Sequence, residues 1–479
     1  MDLASPNNIE ENRIYIDGAW TSSSGAEVIP VINPATEEVV ATTPSGSAED
    51  VAAAAEAASR AFPIWSSARP ADRCDYLDRF HKAYVDRIDD IARAITTEMG
   101  APITSSRAVH AGLSGDVIVA TSRLARGYVY SEKFENSLIE REAYGVVGAI
   151  TPWNNPLYMM FLKVMPALAA GCTVVHKPSE LSPLSALLAT ELLEEIGLPR
   201  GVYNLVSGKG SVVGAAISAH PGIDLVSFTG STGAGSQVAT QSAKTVKRAV
   251  LELGGKSANI VLDDADFGLA VECGMRSAFN NAGQMCGAWT RLVVPRDRIA
   301  EVTDMAVAIA KTYVVGDPLD PRTTIGPIAS AKQRDSILDF IRSGVREGAT
   351  LALGGADAPK GLTRGYYVQP TIFTNVDNGM TIAQEEIFGP VLSIIPHDGD
   401  EHAIEISNDS KYGLRGAVFS KDEERALGVA RRIRAGEVDI NGYKLTIDIP
   451  FGGYKQSGYG RCQGRFGYEE FLQIKSIQL

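Results

Sequence analysis

The sequence lacks most signatures that would assign a chain of 479 residues at once. It has no CxxC pair and no HExxH, and its six histidines do not cluster, so a metal site has no support. The five cysteines (Cys74, Cys172, Cys273, Cys286 and Cys462) are odd in number and widely scattered. That argues against a disulfide framework and for a reducing, cytoplasmic compartment. No dense Lys/Arg run offsets the 57 acidic against 45 basic side chains, and a net charge of -12 argues against a nucleic-acid surface. The polar N-terminus, MDLASPNNIEENR, has no basic segment leading into an apolar one, so no signal peptide is expected. No run of about 18 apolar residues occurs. The least polar stretch, 158–175, contains Lys163, Pro166 and Gly171, so no membrane span is expected.

What is present is an alternation of short apolar runs and helical patterns. Apolar residues make up 45% and charged residues 21%, the balance of an ordinary globular protein. Ser47, with Asp50 three residues on, is expected to cap a helix that runs to Pro63. A second long helix is expected from Asp72 to about Met99, ended by Gly100 and Pro102. From Tyr144 the runs YGVVGAI, GCTVVHK, GVYNLV, IDLVSF and RAVLEL read as strands separated by helices. Such βα alternation implies a buried parallel sheet and a doubly wound, nucleotide-binding architecture. After LELGGKS a second α/β unit begins, so a crevice between two domains is expected near Gly254 and Gly255. Residues 128–142 read as a projecting hairpin, and the chain end YEEFLQIKSIQL is similar. Surface decoration and intersubunit strand pairing both remain open for these segments.

The candidate chemistry is dispersed. FTGSTGAG follows a strand and opens a helix, but its spacing is GxxGxG, and GKGSVVG is GxGxxxG; neither is the dinucleotide fingerprint GxGxxG. Either could still offer backbone N–H groups to a phosphate. Lys177 and Glu180, in a turn after a strand, read either as a solvated charged turn or as contacts to nucleotide sugar hydroxyls. A cysteine is most often a packing residue. Cys286 differs from the other four because it follows the glycine-containing loop NNAGQM between a helix and a strand. Glu252, at a strand end between Leu251 and Leu253, is either a structural hydrogen-bond acceptor or a base whose pKa is raised by apolar surroundings.

Seven motifs in order, TPWNNP, HKPSE, FTGSTGAG, LELGGKS, NAGQMCGAWTR, EEIFGPV and PFGGYKQSGYGR, resemble those of the aldehyde dehydrogenase superfamily along essentially the whole chain. The resemblance implies an α/β, aldehyde-dehydrogenase-like fold: two doubly wound α/β domains plus a small β oligomerisation arm. The implied parts are an NAD-binding domain (1–124 and 144–254), a catalytic domain (255–454) and an arm and tail (125–143 and 455–479). It implies Cys286 as nucleophile, Glu252 as general base and Asn154 as oxyanion donor. Trp153, Lys177, Glu180, Gly210, Gly230, Ser231, Gly235, Glu386 and Phe388 are implied cofactor contacts, with NAD rather than NADP because Glu180 would repel a 2′-phosphate. Positions expected to line the aldehyde tunnel are Met159, Leu162, Met285, Trp289 and Leu445. No arginine stands next to the PWN helix or the cysteine loop in sequence, so the expected small-molecule substrate is an apolar or aromatic aldehyde, with a semialdehyde as the alternative. Glu252 argues against the branch that passes its acyl group to coenzyme A. The expected assembly is a homodimer or homotetramer. Two departures stand out: Asn155 where an aromatic is common, and Cys462-Gln463 where an acidic residue is usual.

Overall fold

Residues 13–442 and 446–479 are described by the computed structural model; the N-terminal residues 1–12 and Leu445 lie outside them. The runs that read as strands form two large sheets. In the eight-stranded sheet the order is Gly458–Tyr459, Arg248–Glu252, Leu225–Thr229, Val146–Ile150, Thr173–Lys177, Tyr203–Leu205, Arg13–Ile16, Ala19–Ser22. Its central strands are parallel and buried along their length, which is why they read as unbroken apolar runs. The chain lays Val146–Ile150, Thr173–Lys177 and Tyr203–Leu205 to one side, then returns to place Leu225–Thr229 on the other. The order therefore reverses between Val146–Ile150 and Leu225–Thr229, the position where doubly wound sheets open a crevice beyond their carboxyl ends.

The seven-stranded sheet runs Thr350–Leu353, Thr371–Thr374, Val391–His397, Arg291–Pro295, Ala258–Val261, Arg415–Phe419, Glu437–Ile440. A separate apolar cluster, from Ala258 to Ile433, covers it. The segment 450–461 returns to the first sheet, where Gly458 pairs with Glu252. There the Ser457 hydroxyl donates to Gly254 O at 2.7 Å and accepts from Gly413 N at 2.9 Å. That motif thus ties the second sheet to the glycines at the end of the first.

Two helix boundaries differ from expectation. The helix capped by Ser47 continues through Pro63 to Ser67. Proline costs one backbone hydrogen bond there, but the last turn is held by Trp65, which is buried and donates from its indole to Leu168 O at 3.0 Å. The expected helix from Asp72 is two, Pro70–Asp86 and Ile88–Met99. At Arg87 ψ moves to 15°, and the second helix turns Ile91, Ile95 and Met99 into the core before Gly100 ends it in the left-handed conformation.

Residues 131–134 and 137–143 form a hairpin whose second strand pairs antiparallel with Leu472–Gln478. The hairpin and the chain end therefore build one three-stranded sheet apart from the two large ones. Among the described residues no helix is long and apolar enough to cross a membrane.

Candidate active site

Thr229 ends its strand at the switch point, and Gly230 and Ser231 follow it into the helix Thr232–Ala243, which Ser231 caps by accepting from Ala234 N at 3.3 Å. On the adjacent strand Ile150 leads into Trp153 and Asn154. Together with Glu252, Cys286, Glu386 and Phe388 these residues line one cavity of about 280 Å³. Trp153 and Phe388 meet edge to face at 5.3 Å, walling one side. Glu386 is fixed by accepting from Gly255 N at 3.1 Å, and burial pushes its carboxyl up to about 7. Gly235 lies a turn along the helix, packed under Leu253 and not on the cavity wall.

Lys177 and Glu180 are not a solvated turn. Lys177 is 2% exposed, and its Nζ donates to Pro178 O at 2.6 Å and to Glu180 Oε2 at 3.1 Å. The other carboxylate oxygen of Glu180 accepts from Gly210 N at 3.5 Å. Burial would raise the Glu180 pKa, but Lys177 and these N–H donors hold it below the usual range, so it is ionised at the crevice rim. A helix N-terminus for phosphate, an oriented carboxylate for ribose hydroxyls and an aromatic-walled pocket form a donor set that fits a dinucleotide.

Cys286 is half-buried on a loop made rigid from within. Asn281, Ala282 and Gly283 all have positive φ (52°, 55° and 74°). This backbone is strained for the first two residues, and Gly283 is required: a Cβ there would lie 2.1 Å from Gly389 O. The strained turn is held by Gln284, whose Nε2 donates to Asn281 O at 3.1 Å and whose Oε1 accepts from Ala329 N at 2.9 Å. Asn154 Nδ2 donates to Gln284 O at 2.8 Å, and Asn281 Nδ2 donates to Asn154 O at 2.9 Å. An amide nitrogen carries two hydrogens, so Asn154 keeps one for a ligand. Burial pushes the Cys286 thiol up to about 12, with Glu386 and Glu252 adding repulsion and Arg415 opposing. Glu252 is 3% exposed, and neither of its carboxylate oxygens has a hydrogen-bond partner. Burial pushes it up to about 8 against the pull of Lys163, of Arg461 and of the neighbouring Cys462 thiol. A buried, unsatisfied carboxyl beside a thiol is costly to fold around and marks a functional site.

Beyond Cys286 a second cavity of about 120 Å³ is lined by Tyr158, Met159, Met285, Ile449 and Phe451, and by Arg415, Glu437 and Asp439. Met159 and Met285 line both cavities. Of the other expected tunnel positions within the described residues, neither does. Trp289 is fully buried in the core of the second sheet beside Phe419, with the Arg415 guanidinium 5.8 Å from its ring centre. Leu162, one turn further along the helix Pro156–Ala170, lines a different small cavity with Val117, Leu124 and Pro166. Of the two departures, Asn155 Oδ1 meets His110 Nδ1 at 3.0 Å and Gln463 donates to Tyr158 Oη at 2.8 Å. Sequence reasoning missed Arg415, Glu437, Asp439, Ile449 and Phe451. They sit in ordinary strand or loop patterns, and only the pairing of distant strands brings them to Cys286.

Residues 20–477 match the model of the aldehyde dehydrogenase family. The chain is 50% identical over 466 residues to a 3-succinoylsemialdehyde-pyridine dehydrogenase from a Pseudomonas species, covering 97% of each protein. It superposes with a TM-score of 0.97 on a cysteine-to-alanine mutant of aldehyde dehydrogenase C from Pseudomonas syringae, solved with NAD+ and octanal. Identity there is 49%, with 98% of this chain and 96% of that one covered. A Staphylococcus aureus betaine aldehyde dehydrogenase with NAD+ gives a TM-score of 0.94 at 38% identity, with 97% and 94% covered.

Proposed function

The chain belongs to the aldehyde dehydrogenase family, and from that premise we propose that Cys286, Glu252 and Asn154 carry out the NAD-dependent oxidation of an aldehyde to its carboxylic acid. The Cys286 sulfur attacks the carbonyl carbon, and the carbonyl π pair moves onto oxygen. The second Asn154 amide hydrogen and the Cys286 backbone N–H bind the resulting oxyanion; one such donor is typically worth roughly 10²–10³ in rate. NAD, when bound, would supply a cationic ring that favours the thiolate and an acceptor for the hydride that leaves the thiohemiacetal carbon. Collapse of the oxyanion leaves a thioester on Cys286. Glu252 then takes a proton from water, hydroxide adds to the thioester, and the acid departs as the thiolate is restored. The observation that carries this reading is Glu252 itself, a buried carboxyl without a partner on the wall that holds Cys286. Such a base favours hydrolysis over acyl transfer to coenzyme A.

Trp153, Gly230, Ser231, Glu386 and Phe388 would hold the nicotinamide half and pyrophosphate, and Lys177, Glu180 and Gly210 the adenosine ribose. Gly235 would act indirectly, by letting the capped helix sit close to Leu253. We assign 1–124 and 144–254 to nucleotide binding, 255–454 to catalysis, and 125–143 with 455–479 to assembly as a homodimer or homotetramer. The five free cysteines support a cytoplasmic location.

The test is NADH absorbance with a panel of aldehydes. Cys286→Ala abolishes the signal, and Glu252→Gln yields a burst of about one turnover before the acyl-enzyme stalls. Steady wild-type turnover by the glutamine variant refutes the base assignment.

A further inference from the structure

The cavity beyond Cys286 carries charge that the reaction itself does not use. Among the described residues its charged lining is Arg415, Glu437 and Asp439. Sheet register assembles them. Arg415 opens one strand and lies opposite Glu437 in parallel pairing. Glu437 and Asp439, two residues apart on the neighbouring strand, project to the same face. Arg415 Nη2 reaches both carboxylates, Glu437 Oε1 at 2.5 Å and Asp439 Oδ2 at 2.8 Å. The arginine also touches the cysteine loop, because Gly287 leaves it room: a Cβ there would lie 2.6 Å from Arg415 Cδ. All three side chains are largely withdrawn from solvent, at 12%, 16% and 14% exposed.

Among the described residues, two carboxylates against one guanidinium leave surplus negative charge in this pocket. Asp439 registers it: burial pushes its carboxyl up to about 6, Arg415 opposes this, and Glu437 adds repulsion. Met159, Met285, Ile449 and Phe451 line the same cavity as the cluster and Cys286, among polar side chains that include Asn155, Asn280 and Gln463. We propose that the Arg415–Glu437–Asp439 cluster is a specificity element, selecting aldehydes that carry a cationic nitrogen a few methylenes from the carbonyl and disfavouring those with a carboxylate there. The inference rests on the aldehyde-oxidising reading above. A carboxylate retains acceptor sites after accepting from one guanidinium nitrogen, so Glu437 and Asp439 can still face a cation. A substrate carboxylate would have to draw Arg415 away from two partners and sit beside them unpaired, and truncating such pairs shows how costly a buried unmatched charge is.

The experiment compares kcat/KM of the wild-type enzyme for three aldehydes with the same three-methylene spacer. They are 4-(trimethylammonio)butanal, its neutral isostere 5,5-dimethylhexanal, and 5-oxopentanoate. The quaternary nitrogen prevents the cyclisation that a free amine undergoes with its own aldehyde. The expected order is cation, neutral, anion, with about tenfold between the first two, the scale of one partly screened charge pair. In Asp439→Asn the cation-to-neutral ratio falls toward one; should that variant fail to fold, the wild-type order decides alone. Equal values, an anion preference, or an unchanged ratio in Asp439→Asn overturns the specificity assignment and leaves aldehyde oxidation standing. No NADH from any of the three, nor from octanal, overturns the oxidation reading and the specificity with it.

Discussion

Glu252 and Cys286 face one cavity with the charged form of each disfavoured by burial, so pH controls both halves of the reaction. In its proposed role as base, Glu252 works only when deprotonated. Its pKa is raised to about 8, so hydrolysis of the acyl-enzyme should climb with pH, reach half its maximum near 8 and level off above. Single-turnover decay of the thioester between pH 6 and 10 measures this, and a rate already flat below pH 7 would contradict it. Glu180 supports a second prediction at this scale. Lys177 holds its carboxylate at the crevice rim, so wild type should prefer NAD. Glu180→Ser should raise the NADP-to-NAD ratio of kcat/KM by about tenfold or more, and an unchanged ratio would place discrimination elsewhere. Locally Cys286, Glu252 and Glu180 each kept a structural reading; the seven ordered motifs singled them out through the family resemblance, and the orphan state of Glu252 came only with the fold. The place of Trp289 was not legible: a tryptophan three residues from Cys286 can face tunnel or core, and packing against Phe419 in the second core placed it inside.

At the scale of elements, the turn carrying Lys177 and Glu180 is steadied from another helix. Glu98 is fully buried near the end of Ile88–Met99 and caps the helix Leu184–Glu195, accepting from Leu184 N, from Ser185 N at 3.2 Å and from Ser185 Oγ at 2.6 Å. Glu98→Ala strands those donors and should cost about 1–3 kcal/mol. Thermal unfolding with and without NAD checks it: the midpoint drops in both, and a wild-type midpoint would deny the cap. No local signal announces Glu98, because its partners lie far along the chain. Ser47 was the opposite case; its cap and Asp50 are neighbours, so the capping box was legible. The break at Arg87 was hidden because both flanking segments have helical patterns, and core packing of Ile91 and Ile95 chose the bend.

For the whole molecule the open question is the small sheet. Its strand Leu472–Gln478 is an edge and presents Ile474, 73% exposed, with Ile477 and Leu479 beside it. An apolar exposed edge of this kind recruits a partner. Light scattering should therefore find a dimer or tetramer of the 50.9 kDa chain, and Ile474→Asp should shift it toward monomer. A wild-type monomer would remove the role proposed for the arm. The strand patterns of 128–142 and of the chain end were both visible, but their register within one chain was not, since pairing across more than 300 positions leaves no mark in either segment.

The sequence by itself determined the α/β alternation and the order of the motifs, because strand burial, helix capping and close backbone approach each demand particular residues locally; the candidate reactive side chains came from the resemblance those motifs carry, not from any one local setting. Tertiary structure alone decided which side chains share a cavity. Parallel register set Arg415 against Glu437 and Asp439 and carried all three to the cysteine loop, and the antiparallel return of Gly458 onto Glu252 tied the two sheets together around it. Such meetings depend on strand pairing between segments distant in the chain, which periodicity within any one segment does not encode.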